Sequence, residues 1–257
     1  MDVRAKKSLG QHFLTDQSIA RGIVDALTEG GVRDVLEIGP GMGVLTQYLL
    51  RRDDIDLKMV ELDGESVDYL LTHFPGMQGK LYEADYLKLD IHGLFPSRYR
   101  VIGNFPYNIS SQIFFKILDD KDLVPEVVCM IQKEVAERIA EKPGSKTYGI
   151  LSVLLQAWYD IDYVMTVGSG AFAPPPKVQS AVIRLRRNSR TSLGCDEKMF
   201  RNVVKTAFNQ RRKTLRNALK PITPEGLDTT DPIFELRAEK LSVEDFVRLT
   251  GILTAAR

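Results

Sequence analysis

The segment NFPYNIS, residues 104–110, places an amide, two aromatic rings and a proline directly after the apolar run YRVIG. Asn104 can offer a side-chain carbonyl oxygen, and Phe105 or Pro106 a main-chain carbonyl, so that together they could accept both hydrogens of an exocyclic amine. Tyr107 supplies a flat face on which a base can stack, worth about 1–3 kcal/mol. Asn104, Pro106 and Tyr107 are therefore candidate catalytic residues, although an ordinary turn with a core tyrosine would read the same way.

The chemistry that suits these groups is alkylation of an adenine amine. Its nitrogen is a poor nucleophile because the lone pair is delocalised into the ring, and acceptors that hold its hydrogens favour a pyramidal nitrogen aimed at a sulfonium methyl group. The nitrogen becomes acidic as it is alkylated, so positioning and fixed acceptors would supply most of the acceleration. A base inside a stem must also be extruded. Phe172, held by the prolines that follow it in GAFAPPPKV, is the candidate for the second face of a clamp with Tyr107, or else simply an apolar residue that covers a loop.

A glycine loop and two carboxylates predict a ligand site at the end of the same elements. Gly39, Gly41 and Gly43 separate an apolar run from a helical pattern, where glycine lets the backbone approach a ligand at a helix N-terminus. Glu61 ends the next apolar run, 20 residues beyond Gly41, where an acid can hold a ribose diol. Asp85 ends the run after that and could accept from an adenine amine. The loop has no basic residue, which favours adenosine over a phosphate-rich ligand, but a plain tight turn or an NAD site stays open.

A parallel sheet would bring these residues together. From about residue 18 to 187, β-branched apolar runs alternate with helical patterns, which indicates βαβ units. The last two runs are joined by a loop too short for a helical crossover, so we expect an antiparallel pair at one edge. Such a doubly wound, Rossmann-like α/β sheet is the architecture of class I methyltransferases. The seven predicted strands are DVLEIG, LKMVELD, KLYEADY, YRVIGN, EVVCMIQ, IDYVMTV and SAVIRLR.

The remainder of the chain predicts a second, all-helical domain. NSRTSLGCD has no period and is typical of a linker, whereas EKMFRNVVKTAFNQ and SVEDFVRLTGILTAA have helical periodicity. Pro221, Pro224 and Pro232 should break this part into short helices. We predict a ligand-binding sheet domain over residues 1–187 and a helical domain over 195–257.

Charge is distributed unevenly. The segment 184–220 has twelve Lys or Arg against two acidic residues, about +10, which leaves about −9 for the rest because the formal net charge is +1. NQRRKTLRNALK places much of this charge at the start of a helix. The basic segment is either a solvated face or a surface that contacts RNA phosphates. In the second case, the affinity for RNA should depend steeply on salt concentration. The candidate RNA-binding residues are Lys205, Arg211, Arg212, Lys213 and Arg216.

Several classes of protein are disfavoured. Two distant cysteines and three scattered histidines can build neither a disulfide framework nor a zinc site, so no metal is expected. The basic N-terminus has no apolar segment after it, and no run approaches the ~18 apolar residues needed to span a bilayer. We expect a monomeric cytoplasmic protein without a membrane partner.

Nine motifs resemble the KsgA family of small-subunit ribosomal RNA adenine dimethyltransferases, from about residue 6 to the C-terminus. They are KKSLGQHFLTD, VLEIGPGMGVLT, VELD, EADYL, GNFPYNISS, MIQKEVAERI, YGILSVLLQ, FAPPPKVQSAVIRL and FNQRRKTLRNAL. The resemblance implies dimethylation of two adjacent adenosines in the 3'-terminal stem-loop of 16S rRNA, within a pre-30S particle, with S-adenosylmethionine as methyl donor.

The resemblance also assigns residues. By position, it implies a cofactor pocket and a base site that share Asn104. His12 stands where the family often has Asn, and Phe105 where it often has Leu; His12 can still donate a hydrogen bond. The implied cofactor residues are His12, Leu14, Gly39, Gly41, Glu61, Asp85 and Asn104, and the implied base-site residues are Asn104, Pro106, Tyr107 and Phe172.

Three other hypotheses remain at this point. Enzymes that methylate large-subunit rRNA share the glycine loop and the NFPY-type motif, although FAPPPKVQSAV and FNQRRKTLRN favour the small-subunit enzyme. A ribosome-assembly factor with a vestigial pocket is disfavoured because Glu61, Asp85, Asn104 and Tyr107 are all present. An NAD-dependent oxidoreductase is disfavoured by the glycine spacing and by the absence of a suitable proton donor in residues 104–107.

Overall fold

The strands of the protein follow the predicted apolar runs, with two short additions. The structure, a computed structural model, describes residues 3, 5, 6 and 9–255, so Lys7 and Ser8 of the first motif lie outside the described residues. The strands are β1 (Phe13–Leu14), β2 (Asp34–Ile38), β3 (Asp56–Glu61), β4 (Leu81–Glu83), β5 (Arg100–Asn104), β6 (Glu126–Gln132), β7 (Tyr159–Val167), β8 (Phe172–Ala173) and β9 (Ser180–Arg187).

Seven of these strands form one sheet in the order β4-β3-β2-β5-β6-β9-β7. The pairs β4–β3, β3–β2, β2–β5 and β5–β6 are parallel, and β6–β9 is antiparallel. The predicted seven-stranded, mostly parallel sheet is confirmed, with β9 and β7 as neighbours at one edge. The central strands read as continuous apolar runs because both faces are covered: β6 is buried over all but its last residue.

Two of the helices begin at a capping aspartate. Asp16 caps α1 through hydrogen bonds from the N–H groups of Ser18 and Ile19, and Asp196 caps α7 through the N–H of Met199. Pro221 and Pro232 lie in the first turns of 3-10 helices, as expected for residues that cannot continue a helix. The α-helices are α1 (Gln17–Asp25), α2 (Thr46–Leu49), α3 (Gly64–His73), α4 (Ser110–Asp119), α5 (Lys133–Ala140), α6 (Ile150–Gln156), α7 (Glu197–Asn209), α8 (Leu215–Ala218) and α9 (Val243–Ala255).

The chain divides into two compact units. The sheet unit comprises Met1–Ala136 and Asp160–Arg187, and the helical unit comprises Glu137–Tyr159 and Asn188–Arg257. Within the helical unit, α7 packs against α6, α8 and α9. The segment Glu137–Tyr159 belongs there because α6, which has five consecutive buried residues, four of them apolar, packs against α7 and α9. Periodicity shows that a helix has an apolar face but does not say which neighbour will cover it.

One short pairing was not predicted. β1 pairs with β8 in an antiparallel ladder that aligns Phe13 with Ala173 and Leu14 with Phe172. The ladder joins the N-terminal motif to the loop between β7 and β9. Two-residue strands have no detectable period, so only the tertiary structure reveals this contact.

Candidate active site

The predicted ligand residues meet at the carboxyl edge of the sheet. β2 and β5 are neighbours, and the chain adds β3 and β4 on one side of them and β6 on the other, so the strand order reverses between β2 and β5. Ligands of open α/β sheets bind at this position. A cavity of about 210 Å³ lies there, within the sheet unit. Every predicted cofactor or base-site residue except Phe172 lines it, namely His12, Leu14, Gly39, Gly41, Glu61, Asp85, Asn104, Pro106 and Tyr107.

The backbone of the glycine loop lines the cavity. Gly39 and Gly41 have positive φ angles of 66° and 57°, a region in which other residues are strained. A Cβ atom at Gly39 would meet no atom within 4 Å, so Gly39 faces open space at the cavity. A Cβ at Gly43 would lie 2.6 Å from Cε2 of Phe74, so the third glycine allows helix packing instead. The expected helix N-terminus is not at the loop, because α2 begins only at Thr46 and has a single turn.

Glu61 closes the loop from the adjacent strand. Its Oε2 accepts the N–H of Gly41 at 3.0 Å, and its Oε1 accepts the N–H of Asp63 at 2.9 Å. The side chain is buried, and this burial raises the pKa of its carboxyl despite the two backbone donors. Each carboxylate oxygen keeps a further lone pair, so Glu61 can hold a diol while it holds the loop.

Asp85 lines the cavity from the segment after the neighbouring strand. It follows β4, and its Oδ1 accepts the N–H of Leu87 at 3.0 Å. Lys88 Nζ lies 3.4 Å from Oδ2. The carboxylate therefore has a defined orientation and remaining acceptor capacity.

Asn104 has its amide oriented by the N-terminal segment. Nδ2 donates to the main-chain oxygen of His12 at 3.0 Å. That bond uses the amide's donor side, so Oδ1 remains as an acceptor at the cavity. A neutral acceptor at this position is the group that the chemistry of an adenine amine requires.

Tyr107 is held at both its hydroxyl and its ring. Oη lies 2.5 Å from Oγ of the buried Ser180, and burial raises the pKa of the Tyr107 phenol, so it stays protonated at neutral pH. The His12 ring stacks on Tyr107 with centroids 5.3 Å apart and planes 28° apart. His12 Nδ1 is 3.0 Å from the carbonyl oxygen of Pro174. His12 therefore links Asn104, Tyr107 and the proline-rich loop.

Phe172 does not lie with the other predicted residues. It sits in β8 opposite Leu14, is 4% exposed, and belongs to the apolar core with Ile23 and Val182. In this structure the ring stacked on Tyr107 is that of His12. A role for Phe172 in clamping the base would require it to leave this packing.

Glu37 was missed by the sequence reasoning. It lines the cavity from β2, is 1% exposed, and its Oε2 accepts from Thr46 Oγ1 at 2.8 Å. Burial, together with the nearby charge of Glu61, raises the pKa of Glu37 to about 8. The available signal was an acidic residue inside the otherwise apolar run VLEI.

The raised pKa of Glu37 predicts a specific pH dependence of stability. A buried carboxyl with a raised pKa favours folding fully below pH 4.5, and this contribution is lost as pH rises through 8. The loss amounts to at most about 5 kcal/mol. We expect Glu37→Gln, which mimics the neutral acid, to melt higher than wild type at pH 8–9 and within a few degrees of it at pH 5. Melting temperatures of both proteins measured across this pH range test the prediction. A difference in melting temperature that does not change with pH would contradict it.

The basic residues differ in what they contact within the helical unit. Residues 211–213 lie in a turn between α7 and α8, so the prediction that they start a helix is wrong; the cap of α8 is Thr214. One guanidinium nitrogen of Arg211 donates to the carbonyls of residues 146 and 148, at 2.7 Å each. Arg216 pairs with Glu235, and Lys205 is exposed on α7. Arg212 and Lys213 are exposed and have no ion-pair partner among the residues that the structure describes.

Metal sites and membrane spans can be considered for the described residues. They contain no group of three or more His, Cys, Asp or Glu side chains placed to hold a metal ion. Of the described helices, none has the length and apolar character needed to cross a bilayer.

Comparison with known proteins decides between the hypotheses for this cavity. The sequence profile of the family described as ribosomal RNA adenine dimethylase matches residues 3–255. The chain belongs to this family. It is therefore an adenine dimethyltransferase of ribosomal RNA that uses S-adenosylmethionine, and the NAD-dependent hypothesis is set aside.

Individual relatives span nearly the whole dimethylase chain. A protein of Parabacteroides distasonis named ribosomal RNA small subunit methyltransferase A is 61% identical over 97% of this chain and 94% of its own length. A protein of Cytophaga hutchinsonii with the same name is 58% identical over 98% of both chains. The crystal structure of a dimethyladenosine transferase from Plasmodium falciparum has a TM-score of 0.77 at 25% identity, covering 93% of this chain and 96% of its own. The crystal structure of the 23S rRNA methyltransferase ErmE has a TM-score of 0.63 at 24% identity, covering 94% of this chain and 99% of its own. This likeness shows the shared fold.

The residues of the cavity fit S-adenosylmethionine. Gly39 leaves open space beside the loop, Glu61 and Asp85 present acceptors from adjacent strands, and no lysine or arginine among the described residues lines the cavity. When bound, the cofactor supplies an electrophilic methyl group on a sulfonium. On the side of the chain, Asn104 Oδ1 is an acceptor at the cavity whose orientation is set in advance by the bond from Nδ2 to His12.

Proposed function

We propose that this dimethylase acts on the small ribosomal subunit and converts two adjacent adenosines in the 3'-terminal stem-loop of 16S rRNA to N6,N6-dimethyladenosine. We further propose that it does so as a cytoplasmic monomer on a pre-30S particle. The observation that carries the catalytic part is the orientation of Asn104, whose Nδ2 is used by the carbonyl of His12 so that Oδ1 can accept from the target amine. The names of relatives at 58–61% identity support the choice of subunit.

The proposed roles within the cavity follow from the contacts. Glu61 holds the ribose diol of S-adenosylmethionine, Asp85 accepts from its adenine amine, and Gly39 and Gly41 provide the close backbone approach. His12 and Leu14 cover the cofactor from the N-terminal segment, since both line the cavity. These roles need only hydrogen-bond acceptors and shape.

The target base takes a second set of contacts. Asn104 Oδ1 and the main-chain carbonyl of Phe105 or Pro106 accept the two hydrogens of the adenine amine. The Tyr107 ring stacks on the adenine. Tyr107 can do this as a rigid platform because Ser180 holds its hydroxyl. We propose that Phe172 supplies the opposite face only when substrate is bound, after the loop next to His12 has rearranged.

The helical domain, residues 195–257, is proposed to hold the rRNA while residues 1–187 carry out the transfer. Arg212 and Lys213 are the strongest candidates for phosphate contacts because they are exposed and unpaired among the described residues. Arg211 and Arg216 already have protein partners, so each would have to share its guanidinium with a phosphate.

We expect Arg212→Ala/Lys213→Ala to weaken binding to a 16S terminal stem-loop and to reduce the slope of log affinity against log salt by about 1.5, because each lost phosphate contact releases roughly 0.7–0.9 fewer counterions. Fluorescence anisotropy at several salt concentrations measures the slope. The matched control is Arg33→Ala, an exposed arginine of the sheet unit that pairs with Asp56. An unchanged slope in the double variant would contradict the proposed contacts.

The choice of substrate is tested with subunits that lack the adenine methylations. Methyl transfer from radiolabelled S-adenosylmethionine to small subunits is compared with transfer to unmethylated large-subunit rRNA, and products are mapped by mass spectrometry. Dimethyladenosine at two adjacent positions in the terminal stem-loop of 16S rRNA is the expected result. Transfer only to large-subunit rRNA would overturn the proposed substrate and leave the cofactor assignment intact.

A further inference from the structure

The turn that carries Asp85 forms one wall of the cavity and has no regular secondary structure. Ala84, Asp85, Tyr86 and Leu87 all line the cavity. The carbonyl oxygen of Asp85 accepts the N–H groups of Lys88 and Leu89, both at 3.0 Å, which closes the turn on one side. The geometry of the Asp85 carboxylate therefore depends on how this irregular turn is held.

Lys116 of α4 holds the other side of the turn. Its Nζ donates to the carbonyl oxygen of Tyr86 at 2.5 Å and to that of Leu89 at 2.6 Å. The ammonium also lies 4.9 Å from the centre of the Tyr86 ring. Three contacts from one partly buried ammonium thus converge on residues 86–89, and charge-assisted hydrogen bonds of this kind are the stronger ones.

We infer that Lys116 is a positioning residue for the adenine of S-adenosylmethionine, which acts by holding the turn 85–89 so that the Asp85 carboxylate meets the adenine amine. This inference rests on the proposed role of Asp85. Lys116 itself does not line the cavity, so its effect on the cofactor must pass through the turn. α4 begins directly after the NFPYNI loop, so the same helix supports the adenine wall and follows the catalytic segment.

The test compares two ligands that differ at the adenine amine. S-adenosylhomocysteine and its inosine analogue, which has a carbonyl in place of the amine, are titrated calorimetrically into wild type, Asp85→Ala, Lys116→Met and the double variant. We expect Lys116→Met to bind S-adenosylhomocysteine about tenfold more weakly and to bind the inosine analogue within about twofold of wild type, because the loss should be confined to the amine contact. The double variant should bind no more weakly than Asp85→Ala alone, because the two residues act on one interaction.

Controls separate positioning from a loss of structure. Lys58→Met removes another partly buried lysine that donates to a main-chain carbonyl, that of Leu94, and lies 4.6 Å from the centre of the Phe95 ring, but that neither lines the cavity nor contacts the turn; it should change affinity less than about threefold. Lys116→Arg keeps the charge and donors and should retain most of the affinity. In kinetics, Lys116→Met should raise KM for S-adenosylmethionine and leave kcat within about twofold, because the acceptors for the target base are untouched. If the methionine variant fails to fold, Lys116→Gln provides the same comparison.

The outcomes are distinct. Two results would overturn the inference for Lys116. One is that Lys116→Met loses equal affinity for both ligands. The other is that Lys116→Met loses no affinity for S-adenosylhomocysteine although Asp85→Ala loses much. No loss in Asp85→Ala would instead overturn the proposed role of Asp85, and the role of Lys116 with it. Neither result bears on the rRNA substrate, since no RNA enters the titration.

Discussion

Asn104→Ala is expected to lower the single-turnover rate of methyl transfer by about 10²- to 10³-fold, the effect of removing one preorganised hydrogen-bonding group from a reaction centre. In the protein, the amide is fixed by the bond from Nδ2 to the carbonyl of His12 at 3.0 Å. Its Oδ1 therefore needs no reorientation when the amine becomes tetrahedral. Alanine removes this acceptor and also leaves the His12 carbonyl without its donor.

Asn104→Asp sharpens this prediction. The aspartate has two acceptor oxygens, and one would face the carbonyl oxygen of His12 where Nδ2 now donates. Repulsion would turn or protonate the side chain, so we expect the aspartate variant to be nearly as slow as alanine. A variant that retained more than about a tenth of the wild-type rate would contradict the proposed acceptor role, since the expected losses begin at about 10²-fold.

The measurement uses preformed complexes of enzyme, S-adenosylmethionine and unmethylated small subunits, quenched at millisecond to minute times. Affinity for S-adenosylhomocysteine is measured on the same variants as the control. A loss of less than about tenfold in affinity beside the full loss in rate would assign most of the effect to the transfer step. The opposite pattern would make Asn104 mainly a cofactor contact.

Glu61→Ala is expected to weaken binding of S-adenosylmethionine by at least about a hundredfold, because hydrogen bonds to a charged group contribute roughly 1.5–3 kcal/mol each and two would be lost. The substitution has a second consequence. The N–H groups of Gly41 and Asp63 lose their acceptor, so the loop that approaches the cofactor also loses its anchor. Glutamine does not repair this, because its NH2 group would face one of these two donors.

A matched control for Glu61 lies in the next strand. Glu83 of β4 is aligned with Glu61 of β3 in the parallel ladder, but it is exposed and does not line the cavity. We expect Glu83→Ala to bind S-adenosylhomocysteine within about threefold of wild type, as surface substitutions usually cost little. Comparable losses in both variants would indicate a general effect of charge near the cavity.

The affinity should also depend on pH through Glu61. The ionised carboxylate is the form that accepts from the diol and from both N–H groups, so binding is strongest above its pKa and falls as pH decreases through it. Burial raises this pKa, so the loss begins at a higher pH than for an exposed glutamate. Calorimetry between pH 4.5 and 8 measures this, and Glu61→Ala should reduce the dependence.

Much of the site could be predicted because it depends on local patterns repeated at strand ends. Gly39, Glu61, Asp85 and Asn104 each follow an apolar run, and parallel pairing places all such ends at one edge of a sheet. The position of Glu61 and the lack of a basic residue in the glycine loop then indicated adenosine. What they could not indicate was Glu37, because a single acid inside an apolar run reads as an imperfection until its burial and its bond to Thr46 are seen.

By itself, the sequence determined the alternation of strands and helices, the residues at the carboxyl edge and the basic segment 184–220, because these follow from periodicity, glycine and charge within short stretches. Only the tertiary structure decided which groups contact each other across long separations. His12 meets residues 104, 107 and 174, Lys116 supports the turn after Asp85, and Phe172 packs into the core. Such contacts depend on the spatial arrangement of elements far apart in the chain, which no local pattern encodes.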